Sequence, residues 1–396
     1  MAATVVTALL ALWLAFAVAG LAGALVFAHQ RRKFGRMRFP LPSPPPRVAV
    51  IVPMKGASAE AALCLAAMMD QDYPDYRVIV AVEAAGDPAH ELARESPGRA
   101  DVPLTVVVAG LAEERGQKVH NLLAALSALE PQEEIVCFAD ADALWTRDTL
   151  ATLVRELSAW DQSVLLSGYR WIYPSRAAGA VMAAAASLPV AAIAKSPRWD
   201  LAWGGTMVAK RATLDRLDLP RLWERSLSDD VPLSRALRRA GLPVKLMPNL
   251  VVPSPGAFTL GAAFAFARRQ YAMLRLYAPR HWLFSLAVYA VFFAGFGAAL
   301  AALLMPAPAC AQWMAGAALA LAAVRGLAHA AIAARCLPKP ITVKLRWAFA
   351  LDTLLPVLPA LLHGYGLLAS IRVLRVRWAG IAYTLAGKEV KKVTRP

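Results

Sequence analysis

Two carboxylates, Asp140 and Asp142, stand two residues apart directly after the short apolar run Ile135–Phe138. That run reads as a buried strand, and side chains two apart at a strand end converge once the chain begins to turn. Open α/β sheets bind ligands at the carboxyl ends of their strands, and converging carboxylates suit a hard cation such as Mg2+ or Mn2+. Acidic pairs also occur after strands simply as parts of polar loops, so spacing alone leaves both readings open. A second pair, Asp229 and Asp230, follows Ser228, which can cap a helix running through Arg239 and place both carboxylates in its first turn, where the helix dipole favours them. The two pairs allow a division of labour. A metal would assist departure of a diphosphate, and a carboxylate elsewhere would take the proton of an acceptor hydroxyl. Lys118, two residues after Gly116, reads either as a phosphate or sugar contact or as a solvated lysine at a helix start, where the dipole slightly disfavours it.

These residues need a scaffold, and the flanking pattern supplies one. Strands are predicted over Val48–Val52, Arg77–Val82, Leu104–Val108 and Ile135–Phe138, alternating with helices over Ala61–Met69 (capped by Ser58), His90–Arg94 and Lys118–Leu129. Such alternation predicts an α/β fold with a mostly parallel sheet covered on both faces. A helix over Thr149–Leu157 and a strand over Val164–Tyr169 follow. Gly204 and Gly205 mark a place where side chains would obstruct either a close backbone crossing or a bound substrate. A helix is expected from Lys210 onward and a strand over Val244–Met247, with Pro248–Pro255 leading away from the sheet.

Composition places this domain at a membrane. Of the 396 residues, 58% are hydrophobic and 18% charged, with a formal net charge of +16, against about 25% charged in a typical soluble domain. The basic residues cluster where apolar segments end, and no interleaved basic and aromatic motif is present, so anionic lipid headgroups rather than nucleic acid are the expected partner. Cys64, Cys137, Cys310 and Cys336 are scattered and give neither a zinc spacing nor a disulfide framework. No protein partner can be named.

The apolar run Val5–Phe27 is long enough to span a bilayer, and its basic residues follow it, the reverse of a cleaved signal peptide. A retained anchor over 1–28 is expected, with its basic end cytoplasmic, followed by a basic and Pro-rich linker over 29–47. The globular domain occupies 48–256. Within it the Ala-rich segment 176–194 is short for a span and reads as a re-entrant or interfacial helix, or as a buried core helix. An amphipathic interfacial helix over 257–281 carries Arg269 and Tyr271. Spanning candidates at Trp282–Leu304, Trp313–Ala334 and about Phe349–Ile371 make up 282–371, and a basic tail fills 372–396. Arg325 and His329 lie four apart within the second of these and are expected to face protein or a headgroup cavity. If all three spans cross, the tail falls outside, against the positive-inside rule; Phe349–Ile371, with Asp352, Pro356 and Pro359, is therefore a candidate re-entrant segment. The whole is expected at the inner (cytoplasmic) membrane, multi-pass, with a cytoplasmic catalytic domain.

The order Pro53-Met54-Lys55-Gly56, Glu83, Gly116-Gln117-Lys118-Val119-His120-Asn121, Asp140-Ala141-Asp142, Gly204-Gly205 and Asp229-Asp230 resembles the membrane-bound inverting glycosyltransferases, most closely the ceramide glucosyltransferase and hopanoid-type group. The resemblance covers about Val48–Tyr277 and the layout of flanking helices. It implies a single Rossmann-like nucleotide-sugar-binding domain of the GT-A type and a UDP-sugar donor. Pro53, Lys55 and Glu83 would then belong to the donor pocket, Lys118 would contact the donor, and Asp140 with Asp142 would hold Mg2+ or Mn2+ and the diphosphate. Gly204 and Gly205 would leave room near the donor sugar and a membrane lipid acceptor. Asp230 would act as base with Asp229 in support, and Arg269 would close over the diphosphate with Tyr271 packed nearby. The group commonly carries Gln- or Arg-x-x-Arg-Trp at that last place, where this chain has Arg268-Arg269-Gln270-Tyr271. A processive polysaccharide synthase and a non-catalytic nucleotide-sugar or lipid binder are the competing readings.

Overall fold

A computed structural model describes residues 2–160, 163–174, 177–339 and 341–395. In chain order the elements are α1 (Ala2–Arg36), β1 (Val48–Pro53), α2 (Ala59–Met69), β2 (Tyr76–Val82), α3 (Pro88–Arg94), β3 (Leu104–Val108), α4 (Gln117–Ser127), β4 (Ile135–Ala139), α5 (Thr149–Ser158) and β5 (Leu165–Pro174). Then come α6 (Ala178–Ala191), β6 (Thr206–Lys210), α7 (Arg211–Asp215), α8 (Leu219–Leu222), α9 (Asp230–Arg239) and β7 (Val244–Gly256). The remainder is α10 (Leu260–Tyr277), α11 (Pro279–Leu304), α12 (Ala309–Cys336), α13 (Val343–Leu354), α14 (Val357–Ala369), β8 (Arg375–Trp378), β9 (Ile381–Ala386) and β10 (Glu389–Thr394). They fall into two compact units, an α/β unit built from Lys33–Arg170, Lys195–Pro255 and the chain from Val373 onward, and a helical unit.

The seven-stranded sheet runs in the order β3-β2-β1-β4-β6-β5-β7. Strands β3, β2, β1 and β4 are parallel. The expected mostly parallel sheet therefore accounts for one half of it; β6 runs antiparallel to β4, and β5 antiparallel to β6. Alternation along β1 explains the double covering: Val48, Val50 and Val52 enter one apolar cluster with Cys64, Leu65 and Met68 of α2, while Ala49 and Ile51 enter another with Val119 and Leu122 of α4. Successive side chains of a strand point to opposite faces, so a run apolar at every position is buried on both sides. Each fully buried Val or Ile contributes roughly 1.5–3 kcal/mol relative to exposure. Arg77 on β2 crosses this core to Glu133: its Nε bonds Oε1, its Nη2 donates to Oε2 at 3.0 Å, and Nη2 also meets Ala128 O at 2.7 Å.

Three expectations for this unit are corrected. Residues 206–210 form a strand, β6, where only a glycine-opened segment and a helix start were legible. Residues 248–255 do not leave the sheet but continue β7 to Gly256, because a sheet-edge strand tolerates prolines that a central one does not. The stretch from Val373 is no free tail: β8–β10 form an antiparallel three-stranded sheet that buries Val376, Ile381, Tyr383, Leu385 and Val390. Alternation of these apolar residues with Arg in β8 and with Ala and Thr in β9 was the available signal, interrupted in β10 by Lys391-Lys392.

In the helical unit, α1, α11 and α12 are long and apolar enough to cross a bilayer, with peak hydropathies of 2.4, 2.2 and 1.7. The chain is a multi-pass membrane protein. Close helix contact relies on small residues: Ala298, Ala299 and Ala302 of α11 meet Ala311, Ala315 and Ala318 of α12, and a Cβ on Gly295 would stand 2.3 Å from Trp13 of α1. The third downstream candidate is not one straight span. It is the pair α13 and α14, bent by 84° at a break marked by Pro356, which cannot continue the helix before it. His329 Nδ1 and Asp352 Oδ2, 2.7 Å apart and both buried, tie α12 to α13. The Ala-rich segment forms α6 in this unit, with Ala180, Ala183–Ala186 and Leu188 buried; Arg176 lies outside the described residues. Its 14 residues reach about 21 Å, short of the roughly 30 Å bilayer core.

Candidate active site

The parallel strands deliver the site. β4 ends at Ala139 and presents Asp140, whose amide donates to Gly205 O at 3.1 Å. α4 begins at Gln117, so Lys118 sits in its first turn, and α9 begins at Asp230 with Asp229 as its N-cap. These three chain ends meet. Lys118 Nζ lies 2.7 Å from Asp140 Oδ1 and 3.0 Å from Asp229 Oδ1. The lysine expected to be either a donor contact or a solvated helix-start residue is thus an internal bridge between the two acidic groups, its side chain 14% exposed. Burial alone would discharge it; the carboxylates of Asp140, Asp229 and Asp230 outweigh burial and hold its ammonium well above the usual lysine range.

Asp229 is almost fully buried. Desolvation, opposed by Lys118 and helped by the charges of Asp230 and Asp140, pushes its carboxyl up to about 6. Asp230 is held differently. Its Oδ1 accepts from Ser228 Oγ (2.7 Å) and Val231 N (2.7 Å), and its Oδ2 accepts from Gly204 N (3.0 Å). Ser228 therefore orients Asp230 rather than capping α9, whose N-cap Asp229 makes no side-chain cap bond because its carboxylate is turned to Lys118. A carboxylate oxygen has two acceptor sites, so Oδ1 is filled and Oδ2 keeps one open among the described residues.

The two glycines serve these side chains. A Cβ on Gly204 would stand 2.4 Å from Asp229 Oδ2 and 2.8 Å from Lys118 Nζ, and one on Gly205 would stand 2.1 Å from the Trp203 ring. The space that the sequence leaves to a crossing backbone or a substrate is taken by the protein's own lysine, aspartate and indole.

Asp142 is the most exposed of the group, with 47% of its side chain accessible. Partial desolvation and the charge of Asp140 raise its carboxyl above the usual range, against Arg170, Ser254 and Lys118. Ser254 Oγ donates to its Oδ2 at 3.0 Å, and Arg170 Nη1 stands 3.8 Å away. Both partners were missed in the sequence. They lie on β5 and on the β7 extension, and nothing local distinguishes them. Among the described residues no three His, Cys, Asp or Glu side chains gather as a metal cage. Asp140 and Asp142 still fit a hard cation that takes its other ligands from a diphosphate and water. Four carboxylates against Lys118 and Arg170 leave an excess of negative charge for a divalent ion to balance.

A second group lies at the end of β1. Pro53 closes the strand, and Lys55 bonds Glu83 Oε1 and stands 3.7 Å from Asp87 Oδ2. Asp87 Oδ1 accepts from Gly56 N (2.7 Å) and Ala89 N (2.9 Å), capping α3. Asp-Pro at 87–88 is a legible helix start that the expectation of a helix from His90 overlooked. The second carboxylate oxygen of Glu83 is buried with no partner among the described residues, ready for a donor group of a ligand.

Arg269 and Tyr271 belong to the helical unit. The Arg269 guanidinium lies over the Phe266 ring, 5.4 Å from its centroid. Tyr271 is buried, its hydroxyl 2.8 Å from His363 Nδ1.

The profile of glycosyl transferase family 21 matches residues 11–389. The chain belongs to this family. Among curated proteins, the ceramide glucosyltransferase of Komagataella phaffii (strain GS115 / ATCC 20864) is 36% identical over 76 residues, 18% of this chain and 15% of that enzyme. The family 21 match thus extends over most of the chain, while the alignment to that enzyme spans a small part of its length. Among solved structures, the mannosyltransferase PcManGT of Pyrobaculum calidifontis, in complex with GDP-Man and Mn2+, is similar over 91% of this chain and 97% of its own, at 22% identity and a TM-score of 0.48. S. aureus TarS 1–349, in complex with UDP-GlcNAc, is similar over 87% of this chain and 98% of its own, at 12% identity and a TM-score of 0.36. The family 21 chain combines a mixed α/β domain resembling the GT-A fold with three long apolar helices.

Proposed function

We propose that this protein transfers a sugar from a UDP-sugar to a hydroxyl of a membrane lipid at the cytoplasmic face, with inversion at the anomeric carbon. The observation that carries the reading is Asp230: three hydrogen bonds fix its carboxylate and leave one Oδ2 acceptor position open, beside the Lys118 bridge to Asp140. A general base needs that combination of fixed orientation and free acceptor capacity. Asp230 takes the proton of the lipid hydroxyl as its oxygen attacks the anomeric carbon and the bond to the diphosphate breaks. Asp229, turned to Lys118, keeps the lysine in place and is a positioning residue. Asp140 and Asp142 would hold Mg2+ or Mn2+, which supplies charge neutralisation for the departing diphosphate. Pro53, Lys55 and Glu83 form the nucleoside end of the donor pocket, where the unpartnered Glu83 oxygen receives a donor group. Arg269 is assigned to the diphosphate; Tyr271, engaged by His363, supports the helix that carries it.

The partial identity to a ceramide glucosyltransferase and the three apolar helices support a lipid acceptor, of which a ceramide, a glycerolipid and a hopanoid-like alcohol are the candidate classes. The purified chain should transfer from a UDP-sugar to one of these lipids only with a divalent cation, and Asp142→Ala and Asp230→Ala should abolish transfer. Full transfer by both variants would overturn the mechanism. Mass spectrometry of lipids from a host expressing the chain, set against the Asp230→Ala variant, identifies the product and separates single from repeated sugar addition.

A further inference from the structure

The segment that carries Lys118 to the carboxylates is held from an unexpected direction. Its key is Gln117, which is buried and uses every hydrogen-bonding position of its side-chain amide. Its backbone N–H donates to Tyr383 Oη at 3.1 Å. Its side-chain Oε1 accepts from Ala112 N at 2.9 Å and from Arg395 Nη2 at 2.6 Å. Its Nε2 donates to Gly110 O and to Asn121 Oδ1, both at 2.8 Å, and Asn121 in turn donates to Ala81 O at 3.0 Å at the end of β2. Arg395 Nη2 also reaches Ala112 O at 3.0 Å. Two of the groups that close this network, Tyr383 on β9 and Arg395 directly after β10, lie more than 260 positions along the chain.

The same sheet holds the other side of the site. Val390 N on β10 donates to Arg225 O at 2.9 Å, in the turn that leads through Ser226 and Leu227 to Asp229. That turn presses on the Lys118 segment: Gly116 N donates to Ser226 O at 2.8 Å, and a Cβ on Gly116 would stand 2.5 Å from Leu227 O. Helix α4 and the turn before α9 are thus packed against each other and bonded to one sheet.

We propose that the β8–β10 sheet is a working part of the donor site, in which Tyr383 and Arg395 are positioning residues that set the Gly110–Lys118 segment and with it the Lys118 ammonium. The proposal rests on the donor-site reading above for its kinetic consequence, but its structural consequence stands apart from that reading. Loss of a buried, charge-assisted hydrogen bond weakens the held geometry by about tenfold. Arg395→Ala should therefore raise the KM for the UDP-sugar about tenfold with kcat within about twofold, and Arg395→Lys should recover part of the loss. Tyr383→Phe keeps the buried ring and removes only the oxygen that accepts from Gln117, so it tests the same link with little threat to folding. Lys391→Ala, on the exposed face of β10, should behave as the unmodified chain.

The experiment uses the full chain in lipid nanodiscs, with hydrogen–deuterium exchange of residues 110–118 measured beside the kinetics, and UDP with Mg2+ as the binding probe. Faster exchange in that segment, with exchange in β4 unchanged, together with weaker UDP binding in Arg395→Ala and Tyr383→Phe, is the expected result. Unaltered exchange and unaltered UDP affinity in both variants would overturn the proposal. An active-site failure reads differently: if the unmodified chain transfers from no UDP-sugar, the functional reading falls, while the exchange in 110–118 still reports whether the sheet holds the segment.

Discussion

Lys118 and Asp229 are 111 positions apart in sequence and 3.0 Å apart in the fold. That contact joins the carboxylate at the end of β4 to the pair at the start of α9, and it makes a single charged network from what the sequence presents as two separate acidic motifs.

Replacing the bridge should therefore cost more than a surface lysine would. Breaking a buried ion pair from one side costs about 3–5 kcal/mol because the partner charge is left uncompensated. Lys118→Met should lower transfer by roughly a hundredfold to a thousandfold. Lys118→Arg should rescue poorly, since a planar guanidinium cannot replace a compact ammonium between two carboxylates. Initial rates with a labelled UDP-sugar check this; near-normal rates for Lys118→Met would remove the lysine from the working site.

The same contact can be split without touching any charge. Gly204→Ala places a methyl group 2.4 Å from Asp229 Oδ2 and 2.8 Å from Lys118 Nζ, and one of them must move. Transfer should fall steeply in Gly204→Ala while the thermal midpoint of the chain in detergent changes little. Equal losses of activity and stability would mean that the glycine serves packing alone.

Acid should disconnect the network before it disturbs the rest of the site. With its carboxyl pushed up to about 6, Asp229 becomes neutral as pH falls through that value, and Lys118 loses a counter-charge. Transfer should decline below pH 6, and this limb should be absent from the weaker residual activity of Asp229→Asn. Stability follows the opposite sign. A carboxyl whose folded pKa lies above the unfolded value of about 3.9 binds its proton more tightly in the folded state, so its contribution falls as pH rises from about 4 to about 6. Thermal midpoints across that window, compared with Asp229→Asn, measure it.

Far from the site, Glu133→Ala removes the two-point partner of the buried Arg77 guanidinium and leaves it Glu130 at 3.5 Å and Ala128 O at 2.7 Å. It should destabilise the α/β unit by about 1.5–3 kcal/mol, the cost of a charged hydrogen bond with Glu130 still at hand. Denaturant unfolding followed by tryptophan fluorescence gives the value, and KM for the donor should hold in the folded fraction.

The sheet β8–β10 also makes the path of the chain through the membrane testable. Residues on both sides of the stretch from Gly256 to Arg372 belong to one α/β unit, so the number of crossings between them is even. α11 and α12 are long and apolar enough to supply two, so the bent pair α13–α14 is expected to add none. That count would bring the basic residues after α14 into line with the positive-inside rule. Glu113→Cys and Lys391→Cys should both react with an impermeant maleimide from the same side of a sealed vesicle, and the exposed native Cys310, in the first turn of α12, from the other. Labelling of the two introduced cysteines from opposite sides would refute the count.

The features legible in the sequence were those that repeat locally. Every-position apolarity marked β1, β2 and β4, uninterrupted hydropathy marked α1, α11 and α12, and Pro356 flagged the broken third span. The Asp140 and Asp142 pair and Asp229 with Asp230 stood out because carboxylates at element ends are chemically conspicuous. What escaped was pairing at a distance. Nothing near Lys118 says that its partners lie at 140 and 229, nothing near Arg170 or Ser254 points to Asp142, and β6 is too short to declare itself beside two glycines. The β8–β10 sheet shows the intermediate case: its alternation is readable, but a surplus of arginine and lysine made it look like a tail.

Because β8–β10 lie after α14, the ribosome makes them after every membrane helix described above. The strands β1–β4 can associate as soon as they emerge, yet Tyr383 and Arg395 reach Gln117 only after every membrane helix has been synthesised. A chain stalled or misinserted at α11 or α12 would carry Asp140, Asp142, Asp229 and Asp230 and still lack Tyr383 and Arg395, so the contacts that hold the Gly110–Lys118 segment wait on synthesis of the membrane helices.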